Sequence, residues 1–169
     1  MSFSIDSLEN LEKQKEEGKR TSLPLLQLLI YGNKSIKIND KLIDDVRGMD
    51  IINKARVGID YKQYHVVFER MSFNSTDLSK YLQISKRTLE KKKQDKLPLS
   101  HTASDRLLEL AELYDYGIEV FANKEKFEKW MNRKSLALGG IIPKDLLDTS
   151  HGIRIVRQAL GRIEHGVFG

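Results

Sequence analysis

An all-α fold is what this sequence predicts, and three observations predict it. From Asp45 onward, apolar residues recur at the three- and four-residue spacing of a helix face. Ser, Thr or Asn stands ahead of most of these stripes, where a helix needs side-chain acceptors for its first unpaired N–H groups. Gly or Pro tends to close them, and strand-like alternation is confined to the short piece 35–38. With 169 residues, 40% of them hydrophobic and 31% charged, the chain has material for one domain or two small ones with a solvated exterior.

Taken in order, residues 8–18 are a short, highly charged helix candidate stopped by Gly18. Residues 23–31 are a small apolar helix or strand, ended by the turn signal Gly32-Asn33. The whole stretch 1–44 is a variable arm, either poorly packed or docked. Ile51, Ile52 and Ala55 then share one helix face, with Gly58 as the stop. Tyr64, Val67, Phe68 and Met71 make a second stripe, which is core material. Ser75-Thr76 cap a helix to about Leu82, Gln83-Ile84 make a turn, and Ser85 caps a helix from Lys86 to about Gln94. Leu97-Pro98-Leu99 breaks the chain and Ser100 restarts it. The longest helix follows, reaching Phe121 with Leu107, Leu110, Ala111, Tyr114, Ile118 and Phe121 on one side. Asn123 opens another with Phe127, Trp130 and Met131 inward. Residues 136–143 are a loop, and Pro143 suits the first turn of a short helix through Leu147. Thr149-Ser150 caps the last helix, whose seam is Ile153, Val156, Leu160 and Ile163. This gives the arm 1–44, a helical region 45–97, and a C-terminal helical domain 98–169.

The segment 75–94 has the spacing of a helix-turn-helix. Leu78 and Leu82 pack its first helix, Ile84 plugs the turn, Leu89 anchors the second helix, and small Ser79 stands where the helices approach. Opposite Leu89 on the helix wheel lie Arg87, Lys91 and Gln94, residue types able to read guanine and adenine edges in a major groove. Lys86, Lys92, Lys93 and Lys96, with Ser85 at the helix start, complete the candidate DNA-binding set as phosphate contacts. Two departures stand against this. Gln83 occupies a turn position that favours glycine, and Lys92 replaces a second apolar anchor. The alternative is a helical pair used for packing, with a solvated lysine face. The net charge of +5 favours polyanions only mildly, but it is concentrated in 86–96.

The chain ends on an unusual segment. Leu136-Ala137-Leu138-Gly139-Gly140, Pro143, Leu146-Leu147, Thr149 and Gly152 lead into Leu160-Gly161-Arg162-Ile163-Glu164-His165-Gly166-Val167-Phe168-Gly169. The apolar seam accounts for core packing, but not for Arg162, Glu164 and His165 crowded beside it or for the aromatic at the tip. Exposed apolar groups, aromatics and Arg are what interfaces use as anchors. These residues, in this order, resemble the toxin-binding domain of Xre-type antitoxins, the partners of RES-domain toxins. The resemblance covers 45–169. It implies an antitoxin that blocks the active site of an NAD-degrading RES toxin. Arg162, Glu164, His165, Gly166, Val167, Phe168 and Gly169 would form the occluding end, with Leu138, Gly139, Gly140 and Pro143 shaping the supporting loop. Such antitoxins carry a helix-turn-helix where this chain has one, which implies repression of their own operon through operator DNA, as a homodimer and in a larger complex with the toxin. The alternative is a stand-alone DNA-binding regulator whose C-terminal domain only dimerises.

Other classes find no support in the residues. There is no Cys, so disulfides and thiolate metal sites are excluded, and a reducing cytoplasm is the compartment that fits. The apolar run 23–30 is too short for a membrane span, and no secretory cleavage pattern follows it. His65, His101, His151 and His165 are scattered, with no pair at metal-ligand spacing. Gly139-Gly140 lacks a preceding strand and a Lys-Ser ending, so it is no phosphate loop. Glu164-His165 are adjacent on a helix and diverge by about 100°. No catalytic residue and no cofactor are implied.

Overall fold

The long helix restarted by Ser100 is the beam on which the other elements rest. The structure, a computed structural model, describes residues 23–32 and 43–166, and of 43–47 only the backbone. The expected charged helix at 8–18 and the alternating piece 35–38 lie outside the described residues, as do Val167, Phe168 and Gly169. The described residues form α1 (Leu25–Tyr31), α2 (Ile43–Val57), α3 (Tyr61–Met71), α4 (Ser75–Tyr81), α5 (Lys86–Gln94), α6 (His101–Phe121), α7 (Lys124–Met131) and α8 (Ser150–Glu164). Two 3-10 turns, Leu136–Leu138 and Pro143–Leu146, lie between α7 and α8. Among the described residues, no helix is long and apolar enough to cross a membrane.

Helix α6 packs against α1, α2, α7 and α8. Its apolar residues are therefore buried on more than one side: Ala103, Leu107, Leu110, Ala111 and Tyr114, but also Leu108 and Leu113. Ile118 and Phe121, expected on the same stripe, are half-buried against the core, Phe121 meeting the Phe127 and Trp130 rings of α7. The alternative left open for 23–31 resolves to a helix, and that helix is docked: Leu25, Leu26, Leu28 and Leu29 all lie in the core. Its first N–H groups are satisfied from α6, since the Asp115 carboxylate accepts from Leu25 N at 2.8 Å and Leu26 N at 2.9 Å. On α2 the expected face holds only in part. Ala55 is buried and Ile51 half-buried, but Ile52 is 43% exposed. The 100° step carries Ile52 off the side that meets α6. The break at Leu97-Pro98-Leu99 is a packed crossing, with Leu99 buried and its N–H bonded to the Ile59 carbonyl at 2.9 Å.

An edge-to-face series of rings joins the two halves. Tyr81 of α4 meets Phe73 at 5.1 Å, Phe73 meets Tyr114 of α6 at 5.3 Å, and Tyr114 meets Phe127 of α7 at 4.9 Å. Each such pair contributes about 0.5–1.5 kcal/mol beyond its area. Burial raises the Tyr114 and Tyr81 hydroxyls well above the ordinary phenol value. Both still find acceptors, Met71 O and Lys144 O, each at 3.0 Å.

A buried guanidinium closes the same junction. Arg106 on α6 is 4% exposed. Its Nε donates to Tyr81 O at 3.1 Å and its Nη2 to Leu147 O at 2.7 Å. Its Nη1 donates to Glu109 Oε2 at 2.5 Å and to Ser150 Oγ at 2.8 Å. Close by, α8 begins so near the Pro143–Leu146 turn that only a glycine fits at 152. A Cβ there would lie 1.8 Å from Leu146 O.

Two outcomes test this junction. Arg106→Met should destabilise the fold by about 3 kcal/mol in urea unfolding, because it strands the two buried carbonyls of Tyr81 and Leu147. A loss under 1 kcal/mol would show the network to be dispensable. Gly152→Ala should cost about 2 kcal/mol through forced displacement of the Leu146 backbone, whereas Gly48→Ala, where nothing lies within 4 Å of the added carbon, should cost nothing measurable.

Candidate functional site

Helices α4 and α5 form the helix-turn-helix expected at 75–94. The first cap differs from expectation. Asn74, not Ser75 or Thr76, is the N-cap, its Oδ1 accepting from Asp77 N at 2.8 Å. Its Nδ2 donates back to Asp77 Oδ2 at 2.9 Å. That reciprocal pairing across three residues favours a start one residue earlier. Ser85 caps α5 as expected, accepting from Thr88 N at 3.0 Å. Leu78, Leu82 and Leu89 are fully buried and Ile84 is half-buried against the same core. Ser79 is buried between the helices, its hydroxyl bonded to Thr76 O at 2.9 Å. Gln83 does take the left-handed conformation, with φ +55°. Its side chain is anchored, Nε2 donating to Asp148 O at 3.3 Å.

The basic residues of α5 divide into two groups. Lys86, Arg87, Lys91, Gln94 and Lys96 are exposed, and their side chains have no hydrogen bond or ion pair among the described residues. Lys92 and Lys93 are half-buried and turned inward. Lys92 lays its stem where an apolar anchor was expected and donates from Nζ to Pro98 O at 2.7 Å. Lys93 Nζ donates to Ser75 Oγ at 3.0 Å, lies 3.7 Å from Glu90 Oε1 and sits 5.9 Å from the Phe68 ring centre. Both ammonium groups already have acceptors within the chain.

In the C-terminal module, Asn123 caps α7 and Thr149 caps α8 through Lys126 N at 2.8 Å and Gly152 N at 3.0 Å. Between them the loop is a closed structure. Ser135 and Ile141 pair as an antiparallel bridge, Ser135 N donating to Ile141 O at 3.0 Å and Gly140 N to Ser135 O at 2.8 Å. Gly139 (φ +65°) and Gly140 (φ +82°) supply the two left-handed steps that this closure needs. Leu138 is 8% exposed and Pro143 is buried, so both support the loop from beneath. Leu136 is 91% exposed and Ile141 46% exposed, so both project from it. These two were not singled out as site residues from the sequence. The signal available was two large aliphatic side chains flanking Gly139-Gly140, and only the three-fold winding of the 3-10 turn separates Leu136 outside from Leu138 inside.

Helix α8 buries Ile153, Val156, Ala159 and Leu160 and leaves its end in solvent. Arg162 is exposed and hangs over the loop, Nη2 donating to Ala137 O at 3.2 Å. Glu164 stands on the opposite edge of the helix, accepting from Tyr116 OH at 2.7 Å. That hydrogen bond raises the tyrosine hydroxyl above its ordinary value. His165 and Gly166 are exposed, and Gly166 has φ +68°. The structure thus brings Arg162 onto the Leu136–Leu138 turn, through Ala137 O, and places Glu164 against Tyr116 instead. The exposed cations of α5 form a second surface, joined to the first through Gln83, Tyr81 and Arg106. Among the described residues, no group of His, Asp or Glu is placed to hold a metal ion.

Comparison with known proteins divides the chain along similar lines. Residues 117–166 match the family model of the antitoxin Xre/MbcA/ParS C-terminal toxin-binding domain. Residues 51–112 match that of the antitoxin Xre-like helix-turn-helix domain. A Sphingobium protein named Prs ADP-ribosylating antitoxin is 34% identical over 130 residues, covering 70% of this chain and 78% of its own length. An antitoxin Xre from Photorhabdus laumondii is 29% identical over 97 residues, 57% of this chain and 66% of that protein. Another antitoxin Xre, from Yersinia enterocolitica, is 24% identical over 123 residues, 72% of this chain and 83% of its own length.

Proposed function

The chain belongs to the Xre family of antitoxins, with a toxin-binding C-terminal domain of the Xre/MbcA/ParS type, and on that footing we propose that it neutralises a RES-domain, NAD-degrading toxin by seating its C-terminal end in the toxin's NAD pocket. The observation that carries this is the free end of α8. Helix α8 is fixed to the core by its seam, yet Arg162, His165 and Gly166 stand in solvent at its C-terminal end. In this scheme Val167 with Phe168 fills the space that NAD would occupy. As a homodimer, alone or in a larger complex with the toxin, the protein represses its own operon through the outer face of α5.

A second reading of the toxin is favoured by the name of the Sphingobium relative, which speaks of ADP-ribosylation of Prs. In that reading the blocked enzyme would transfer ADP-ribose to Prs and not simply degrade NAD. Both chemistries consume NAD and both would be stopped by the same plug.

Co-expression with the product of the adjoining reading frame tests the plug. The full chain should restore growth and cellular NAD, and a chain lacking 165–169 should fold but restore neither. Labelled ADP-ribose appearing on a protein would select the second chemistry, and full rescue by the shortened chain would refute the plug. Operator binding is tested by mobility shift at fixed salt on DNA upstream of the gene. Arg87→Ala and Lys91→Ala should each weaken binding about tenfold, as loss of a base-edge contact does. Lys92→Ala and Lys93→Ala should change it less than about threefold, their amines being engaged internally. Equal losses from all four would contradict the assignment of the outer face.

A further inference from the structure

We propose that Leu136 and Ile141, with the Arg162 guanidinium beside them, form an anchoring face for the toxin that is distinct from the chain's last residues, and that the toxin meets it with an apolar recess bordered by carboxylates. This rests on the antitoxin function just proposed and adds to it a second point of attachment.

Leu136 leaves 91% of its surface in water on the loop closed by the Ser135–Ile141 bridge, and Ile141 leaves 46%. Exposed aliphatic groups that cluster in this way mark contact sites. The loop that carries them is stiff. It is closed by the Ser135–Ile141 bridge, by Gly140 N to Ser135 O at 2.8 Å, and by Arg162 Nη2 to Ala137 O at 3.2 Å. A rigid apolar projection loses little entropy on docking, so most of its burial is realised as affinity. An aliphatic centre flanked by an arginine is also the composition of an interface anchor.

The surrounding charge identifies the partner's chemistry. Arg133 and Lys134 immediately precede the loop, and both are exposed. Neither they nor Arg162 is in an ion pair with a carboxylate among the described residues. A cationic rim repels a second copy of itself across a two-fold axis. DNA would accept the cations but offers no apolar recess for Leu136. A protein with an acidic border satisfies both, and the whole face lies within 117–166, the part that matches a toxin-binding domain.

The test uses the full chain and the purified product of the adjoining reading frame, with binding followed by surface plasmon resonance at two salt concentrations. Leu136→Asp should weaken binding about 100-fold and Ile141→Thr about tenfold, the range expected for interface anchors. Arg162→Glu should weaken binding and flatten its salt dependence. Leu136 is so exposed that its replacement should leave the melting temperature unchanged. Removal of 165–169 should abolish toxin inhibition while leaving residual binding that Leu136→Asp then abolishes. Unaltered affinity of Leu136→Asp overturns this inference alone, and inhibition surviving the 165–169 deletion overturns the plug alone. If Leu136→Asp instead changes the sedimentation of the chain by itself, or weakens only DNA binding, the face belongs to a second copy or to DNA and the inference fails. No binding by the unaltered chain overturns both proposals.

Discussion

The guanidinium of Arg106 holds the two functional ends of this protein in register. Taking an arginine out of water costs several kcal/mol, and the attraction to a single carboxylate does not reliably offset that cost. Here the cost is offset in another way. Tyr81 is the last residue of α4, and Leu147 closes the 3-10 turn before α8. Both carbonyls belong to helix ends that lack an intrahelical donor and carry the negative pole of the helix. One planar cation supplies donors to both, and to Glu109 and Ser150 as well. An ammonium could not span these directions, because the fork geometry is what lets one side chain bridge three elements.

The same junction explains why a turn without glycine is tolerated. Holding Gln83 at φ +55° costs roughly 1–2 kcal/mol. Its hydrogen bond to Asp148 O returns about 0.5–1.5 kcal/mol in the best case, and less at an exposed site. The bond therefore does not fix the turn unaided. Full burial of Leu78, Leu82 and Leu89 does, each contributing about 1.5–3 kcal/mol. What the glutamine adds is direction, since its amide, the Lys80 ammonium 3.4 Å from the Asp148 carboxylate, and the Tyr81 hydroxyl all point at residues 144–148. The helix-turn-helix is oriented by the C-terminal module as much as by its own core.

Most of the fold was legible because periodicity and caps are local. Tyr64, Val67, Phe68 and Met71, the Ser85, Ser100, Asn123 and Thr149 caps, and Pro143 at the head of its turn all follow from spacing and residue type. Most of what failed depended on contacts distant in sequence; the Asn74 cap, settled by Asp77 three residues on, is the local exception. Ile52 belongs to the apolar set by type, yet only the position of α6 decides which side of α2 is covered. Asn74 wins the cap because Asp77 answers it. Arg106 carries no signal in the sequence, since an arginine amid Ser104-Asp105 and Leu107-Leu108 looks like any solvated residue until α4 and the 143–147 segment close over it. At the candidate site, the charged face of α5 and the glycine loop were readable as types. Which lysines turn inward, and which leucine turns outward, was settled by packing.

The regions matched by the helix-turn-helix and toxin-binding families, 51–112 and 117–166, both fall partly on α6, and the four residues between them are helical. The two units therefore share a continuous rod and have no linker. Rotating one against the other would require breaking backbone hydrogen bonds in the middle of α6 together with those of Arg106. Either loss is large against the few kcal/mol that separate folded from unfolded chains. In the function proposed, binding at the Leu136–Ile141 face and at the outer face of α5 would therefore occur on one rigid body. Any influence of one partner on the other must then come from where the partners themselves are placed: whether a toxin seated on the C-terminal module aligns or obstructs a second helix-turn-helix on the same DNA.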